Sequence, residues 1–226
     1  DPDFAGTDSF EYVVTDGEGA TSTATATITV AGTDDAPVAE DASGTAVENG
    51  AVVSGFVSAT DVDSAPIAYA VVGTAPAGLT FNPDGSYSFD PGNAAYDGLA
   101  QGATTVVTVT FSATADGQSD TGTLSLTVTG TNDGPVASGV TASGPEDGGA
   151  IIVTPVSTDA DAGDTAAYAI AGESGPVNGS VVVNGNGTFS YTPDPDFAGT
   201  DSFEYVVTDG EGATSTATAT ITVAGT

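Results

Sequence analysis

From Thr23 to Val30 every second residue is threonine, and Ala24, Ala26, Ile28 and Val30 occupy the positions between. A period of two places the apolar side chains on one face of a strand and the hydroxyls on the other. Leu124, Leu126 and Val128 repeat the beat, as do Phe203, Tyr205 and Val207. Phe10, Tyr12, Tyr87, Phe89, Phe189 and Tyr191 fall on the same inward positions, so the aromatic side chains are expected inside. Between such runs stand Asp16-Gly17, Asp84-Gly85, Asp116-Gly117, Asn186-Gly187 and Asp209-Gly210. These pairs suit tight hairpin turns, where a backbone with φ > 0 is needed. No stretch carries a helical apolar period. Roughly seven short strands per hundred residues, separated by turn signals, predict an all-β sandwich.

The chain also repeats itself. Residues 1–33 recur letter for letter as residues 194–226, so the sequence is one 193-residue period with a 33-residue overlap. Sandwich cores tolerate many sequences, so identity this close points to recent duplication and to a protein whose length is part of its function. A weaker period lies inside the first. At an offset of 98, Val30–Val38 matches Val128–Val136, Glu48 falls on Glu146, and Asp61-Val-Asp63 falls on Asp159-Ala-Asp161. Further on, Asn82–Phe89 aligns with Asn184–Tyr191, and Asp116 with Asp209. Two related sandwiches are therefore expected at 34–131 and 132–226, joined end to end, with residues 1–33 as the last two strands of a preceding domain. Two strands alone are marginal in water. A segment equivalent to 132–193 ahead of Asp1, or strand addition from a neighbouring chain, is expected to complete that sheet.

Composition narrows the chemistry. The chain has no Lys, Arg, His, Cys, Met or Trp and a net charge of −31. No carboxylate can be neutralised by a side chain of this chain, so the cation must come from outside. For oxygen ligands alone that cation is a hard one such as Ca²⁺. Phosphate backbones find no basic partner, which argues against nucleic acid, and anionic membranes repel the chain. No apolar run approaches a membrane span. Disulfides and lysine isopeptide bonds are excluded by the missing residues, and trypsin-like proteases find no cleavage site.

The segment from Ala75 to Tyr96, with a terminal Val-Thr-Gly-Thr-Asn-Asp133, resembles a VCBS repeat of giant bacterial adhesins. Gly187 to Tyr205, with its Thr-Phe-Ser-Tyr-Thr-Pro run, is similar to the cadherin-like repeat that accompanies VCBS repeats. The resemblance implies tandem immunoglobulin- and cadherin-like sandwiches, extracellular or on a bacterial cell surface. The G-G-x-G-x-D nonapeptides of RTX proteins are absent.

In such a sandwich the loops after the second and sixth strands meet the entering linker. Those after the first and fifth face the next domain. At one junction this gathers Asp34, Asp35, Asp61, Asp63 and Asp116, with Asp1, Asp3 or Asp8 from the preceding segment. At the other it gathers Glu48 and Asp90 or Asp97 with Asn132, Asp133, Asp159, Asp161 and Asp209. Five or more oxygens from three segments match calcium, and cadherins clamp calcium with a similar linker pair and D-x-D triplet. The linker here is shorter, and no D-R-E triplet exists.

Other signals carry less. Asp120-Thr-Gly122 spells the aspartic-protease motif, but a catalytic pair needs a second such loop facing it. No His, Cys or Lys is present for other acid–base or nucleophilic work, so no enzymatic activity is expected. Asn178-Gly-Ser180 and Asn186-Gly-Thr188 are glycosylation sequons, though Asn-Gly turn chemistry accounts for them. The expected function is a spacer in a long, calcium-stiffened adhesin or surface filament, with neighbouring repeats of the same chain as partners. The alternatives are a carbohydrate- or ice-binding module, or the subunit of a self-associating filament.

Overall fold

The computed structural model describes residues 4–63, 66–172 and 175–225, all in strands, turns and loops. Asp1 and Asp3 lie outside the described residues. The first hairpin is β1 (Gly6–Thr15) and β2 (Thr21–Val30). Next come β3 (Val38–Glu40), β4 (Ala42–Val47), β5 (Val53–Phe56), β6 (Ser58–Thr60), β7 (Ala68–Val71), β8 (Leu79–Phe81), β9 (Ser86–Phe89), β10 (Thr104–Ala115) and β11 (Gln118–Thr129). The last series is β12 (Val136–Ser138), β13 (Val140–Pro145), β14 (Ile151–Val153), β15 (Val156–Thr158), β16 (Ala167–Ile170), β17 (Gly179–Val183), β18 (Phe189–Pro193), β19 (Gly199–Thr208) and β20 (Thr214–Ala224).

More strands form than the seven expected because some strands change sheets part-way. β3 pairs with β6, and after the single residue Asp41 the chain continues as β4 in the sheet β4-β11-β10-β7. β12 pairs with β15, and past Gly139 the chain continues as β13 in the sheet β13-β20-β19-β16. The remaining sheets are β5-β9-β8, β14-β18-β17 and the isolated pair β1-β2. Strands that bend from one sheet to the other are a usual way to close a sandwich. Among the described residues no helix is long and apolar enough to cross a membrane.

Backbone contacts divide the chain into two units. One comprises Asp1–Gly44, Ser54–Ser88 and Thr108–Ser125. In it Phe111 is fully buried, with the rings of Phe81 and Tyr69 each 6.3 Å away. The Tyr87 ring lies so close over Gly55 that a β-carbon there would fall 2.6 Å from its hydroxyl oxygen, so this position requires glycine. In the same unit β1 and β2 pair along ten residues, from Gly6↔Val30 to Thr15↔Thr21. Phe10 and Tyr12 of this hairpin are exposed. Alternation set their side of the strand, but no second sheet covers that side among the described residues.

The other unit comprises Thr45–Val53, Phe89–Val107 and Leu126–Thr226. Its core joins Ile151, Val153, Phe189, Tyr191, Phe203, Tyr205, Ala219, Ile221 and Val223. Phe189 packs edge-on to Phe203 at 5.3 Å. Such aromatic pairs add about 0.5–1.5 kcal/mol beyond the area they bury. β13 runs parallel to β20 and β16 antiparallel to β19, which supplies a neighbour to each edge of the β19–β20 hairpin.

The turns depart from expectation in one respect. Asp116 and Gly117 have φ of 43° and 94°, the two positive values of a two-residue hairpin turn. In Asp16–Ala20 and Asp209–Ala213 the left-handed residue is instead the second glycine, Gly19 at 88° and Gly212 at 97°. These loops are longer, closed by hydrogen bonds from Asp16 N to Ala20 O and from Asp209 N to Ala213 O.

Candidate metal centre

Within the second unit three stretches of chain converge. Glu48 follows β4, its backbone N–H donating to Thr129 O at 2.9 Å. Asn132 and Asp133 lie between β11 and β12. Asp159 and Asp161 lie in the loop after β15, ordered by a local turn in which Asp161 N donates to Asp159 Oδ1 at 3.0 Å. Glu48 is 1% exposed and Asp161 is 5% exposed.

Each of the three central carboxylates is engaged through one oxygen. Glu48 Oε2 accepts the Thr131 N–H at 2.8 Å, Asp133 Oδ1 accepts Asn49 Nδ2 at 3.2 Å, and Asp161 Oδ2 accepts the Asp133 N–H at 2.9 Å. The other oxygen of each, Glu48 Oε1, Asp133 Oδ2 and Asp161 Oδ1, is buried with no hydrogen-bond donor. Asn132 adds a fourth buried oxygen, Oδ1, because its Nδ2 donates to Asp209 Oδ2 at 2.9 Å. One oxygen from each of Glu48, Asp133 and Asp161 lies within 4.8 Å of the others. Unit charges about 4–5 Å apart repel by roughly 3–4 kcal/mol per pair at an effective dielectric near 20.

The proton affinities record this crowding. Burial pushes Glu48 up, against the lowering hydrogen bond from Thr131, and Asp133 and Asp161 push it further. Burial likewise raises Asp133, with Asp161, Asp97 and Asp159 adding to the rise. Buried acceptors without donors are costly, and a divalent cation supplies what the protein lacks. The donor set is all oxygen, partly anionic and drawn from several segments, so these residues could hold a hard ion.

A second group, Asp159, Asp164 and Asp209, also brings one oxygen each within 4.8 Å. Its acids are more engaged. Asp209 Oδ1 accepts the N–H groups of Glu211, Gly212 and Ala213, and Asp164 Oδ1 accepts those of Thr165 and Gly210. Asn132 first, then the backbone donors, hold Asp209 below the usual carboxylate range despite its desolvation. Asp209 therefore orients Asn132. Asp97 lines a cleft with Asn49, Asp133 and Asp159. Asp90 instead closes a turn, accepting the Gly92 N–H at 3.0 Å.

In the first unit the related loops repeat the local geometry. Asp35 N donates to Asp63 Oδ2 at 2.7 Å and Asp63 N to Asp61 Oδ1 at 2.9 Å, the same ladder as Asp133, Asp161 and Asp159. A shallow depression is lined by Asp34, Asp63 and Asp116. Asp34, Asp35, Asp63 and Asp116 are exposed. Desolvation, then Asp116, Asp61, Asp63 and Asp35, raise Asp34. Asp8 stands apart from this hydrogen-bonded set, in β1, where its carboxylate accepts the Ser9 N–H.

Asn49 and Asp164 were not expected here. The position 98 residues before Asp164 is Pro66, so the internal repeat carries no signal for it. Asp120, of the protease-like motif, accepts the Ala39 N–H at 2.9 Å, a bond that holds it below the usual range and ties β11 to β3. Thr188 N and Oγ1 both donate to Asn186 Oδ1, the turn chemistry expected of that sequon.

A family model described as the bacterial cadherin-like domain matches residues 34–130 and 132–225, and one described as a bacterial Ig domain matches residues 1–29. The chain belongs to the bacterial cadherin-like domain family. Its fold is similar to the protocadherin GammaB4 extracellular domain, with 20% identity, a TM-score of 0.51, and coverage of 95% of this chain and 39% of that one. It is similar to mouse cadherin-23 EC22-24 at 17% identity and a TM-score of 0.55, covering 97% of this chain and 74% of that one. Human protocadherin-24 EC1-2 shares 17% identity with a TM-score of 0.57, covering 84% of this chain and 99% of that one. No curated protein matches the chain. The domains are thus cadherin-like, immunoglobulin-type sandwiches in tandem, a non-enzymatic fold of extracellular, adhesion-type repeat modules.

Proposed function

We propose that the chain is a stretch of spacer repeats from a long extracellular adhesin or surface filament, and that Ca²⁺ stiffens it. The observation that carries this reading is the set of four buried oxygens without donors, on Glu48, Asn132, Asp133 and Asp161. Calcium fits better than magnesium, because Mg²⁺ gives up its water reluctantly and keeps a strict octahedron. If the domains divide at 34–131 and 132–226, Glu48 comes from one and Asp159 and Asp161 from the next, so a bound ion ties consecutive repeats. Glu146 repeats the backbone setting of Glu48, its N–H donating to Ala224 O at 3.0 Å, as a recurring junction requires. The buried aromatic residues Tyr87, Phe89, Phe189 and Tyr191 favour a spacer over a glycan-binding face.

Small-angle scattering of the chain in calcium and in chelator tests the mechanical role. A larger radius of gyration and lower flexibility with calcium are expected. Identical scattering in the two conditions would overturn the spacer role while leaving cation binding itself open to measurement.

A further inference from the structure

One turn occurs twice in the chain, and one of its copies carries a nucleophile that the other lacks. In the β8–β9 turn, Asn82 N donates to Ser86 O at 2.9 Å, Gly85 N to Asn82 O at 3.0 Å and Asn82 Nδ2 to Ser86 Oγ at 2.9 Å. In the β17–β18 turn, Asn184 N donates to Thr188 O at 2.8 Å, Gly187 N to Asn184 O at 3.0 Å and Asn184 Nδ2 to Thr188 Oγ1 at 2.9 Å. The left-handed glycine is shared as well, with φ of 84° at Gly85 and 83° at Gly187. The residue after the asparagine differs, Pro83 in the first turn and Gly185 in the second. Proline has no backbone N–H. Gly185 has one and is exposed, and among the described residues that N–H finds no acceptor.

We propose that Asn184 is a site of spontaneous deamidation, with the Gly185 nitrogen as the attacking group. Asparagine is among the thermolabile side chains. The Gly185 nitrogen attacks Cγ of Asn184, so that an N–Cγ bond forms and the Cγ–Nδ2 bond breaks. The displaced amide nitrogen leaves as ammonia, with the proton that Gly185 gives up, and a succinimide ring remains. Water then opens the ring, at Cγ to give aspartate or at the main-chain carbonyl to give isoaspartate. Water is the one co-reactant the sequence of steps needs. The side chain is also set for attack. Its Nδ2 is held by Thr188 Oγ1 and Ser190 Oγ, and Ser190 Oγ donates to Asn184 Oδ1 at 3.2 Å. Negative charge develops on that oxygen as Cγ becomes tetrahedral, and a donor already aimed there lowers the barrier.

The other Asn-Gly steps are guarded. Gly50 N donates to Val47 O at 2.9 Å and Gly187 N to Asn184 O at 3.0 Å, so the nitrogens after Asn49 and Asn186 are engaged. Gly179, after Asn178, lies inside β17 opposite Pro193, with the Tyr191 ring packed against it. Ring closure there requires the strand to leave its sheet. The two products of Asn184 differ in effect. Aspartate keeps the turn, because the Thr188 and Ser190 hydroxyls can donate to a carboxylate. Isoaspartate inserts a methylene into the main chain ahead of Phe189 and Tyr191, both in the core. The β17–β18 turn is therefore built to loosen with age, while its counterpart at Asn82 is not.

Incubation of the whole folded chain at mildly alkaline pH tests this, with mass spectrometry of fragments cut at acidic residues. Asn184 should convert first, giving aspartate and isoaspartate with release of ammonia, and faster as pH rises, because Gly185 N must lose its proton. Asn49, Asn82 and Asn186 should remain amides over the same interval. Gly185→Pro, the residue that the related turn already holds, should abolish conversion at Asn184. A β-carbon at Gly185 meets nothing within 4 Å, so this variant should fold, as its melting curve will verify. Ser190→Ala should slow conversion, and faster conversion in it would overturn the activating role of Ser190. Conversion of Asn49 or Asn186 ahead of Asn184 would overturn the proposal. So would an Asn184 that converts in urea but not in the folded chain, or one that still converts in Gly185→Pro.

Discussion

The chain builds one acidic ladder twice, and the described residues surround the two copies differently. Asp35, Asp63 and Asp61 repeat the backbone-to-carboxylate bonds of Asp133, Asp161 and Asp159 within about a tenth or two of an ångström. Yet the first set is largely exposed, while the second includes Asp161 in a buried setting. Glu48, from outside the second ladder and itself 1% exposed, brings one carboxylate oxygen within 4.8 Å of oxygens of Asp133 and Asp161. A D-x-D loop is therefore a local geometry, to which the second copy adds burial and a third carboxylate.

The largest expected contrast is a change of sign at Glu48. Glu48→Gln removes one of three crowded charges without changing shape. In chelator it should raise the melting temperature, by relieving repulsion. In calcium it should lower it relative to the unsubstituted chain, with about tenfold weaker binding or more, equal to about 1.4 kcal/mol. Thermal unfolding in both conditions checks this. Asp161→Asn should follow the same pattern. Asp63→Asn, its counterpart in the exposed ladder, should move stability by less than about 0.5 kcal/mol in either condition. Equal responses from Asp63 and Asp161 would mean that the acids act only through bulk charge.

Acidity sharpens the same contrast. Without a cation, Glu48 and Asp133 have raised proton affinity in the folded state, from burial and neighbouring carboxylates. A raised folded pKa gives stability that is present at low pH and lost as pH rises. The cation-free protein should therefore melt higher at about pH 5 than at pH 7, and Glu48→Gln should flatten that slope. Asp201 acts oppositely. Burial alone would raise it, but the N–H groups of Asn178, Val177 and Ser202 and the Tyr191 hydroxyl hold it low. Its stabilisation is present above the ordinary carboxylate range and is lost as pH falls below it. Calcium should erase the first trend and leave the second, as melting curves across pH will show.

The smallest effect belongs to Asp120→Asn, which keeps an acceptor for Ala39 N–H and should cost less than about 0.5 kcal/mol by chemical denaturation.

The sequence made the strands, most turns and the D-x-D ladders legible because each is local. An alternation of two, an Asp-Gly pair or a short acidic triplet acts through neighbours in the chain. Glu48 was legible because an internal repeat placed it opposite Glu146 and because sandwich topology turns the loop after the first strand toward the next domain. Asp164 had no such help, with Pro66 at the repeated position, and Asn49 enters through a side-chain amide that no spacing rule marks. Burial of the aromatic residues was least legible. Phe189 and Phe203 meet at 5.3 Å from strands of different sheets, a pairing that no local pattern marks.

The most direct test of the calcium reading is thermal unfolding of the whole chain in EDTA and in 10 mM calcium. Extracellular calcium modules bind at roughly 10⁻⁴–10⁻³ M. At a hundredfold excess the folded state gains about 2.7 kcal/mol, a rise of roughly 5–10 °C for a chain of this size. That rise, lost in Asp161→Asn and kept in Asp63→Asn, is the predicted result. An unchanged melting temperature in the two solutions would contradict the assignment of Glu48, Asn132, Asp133 and Asp161 as a calcium site.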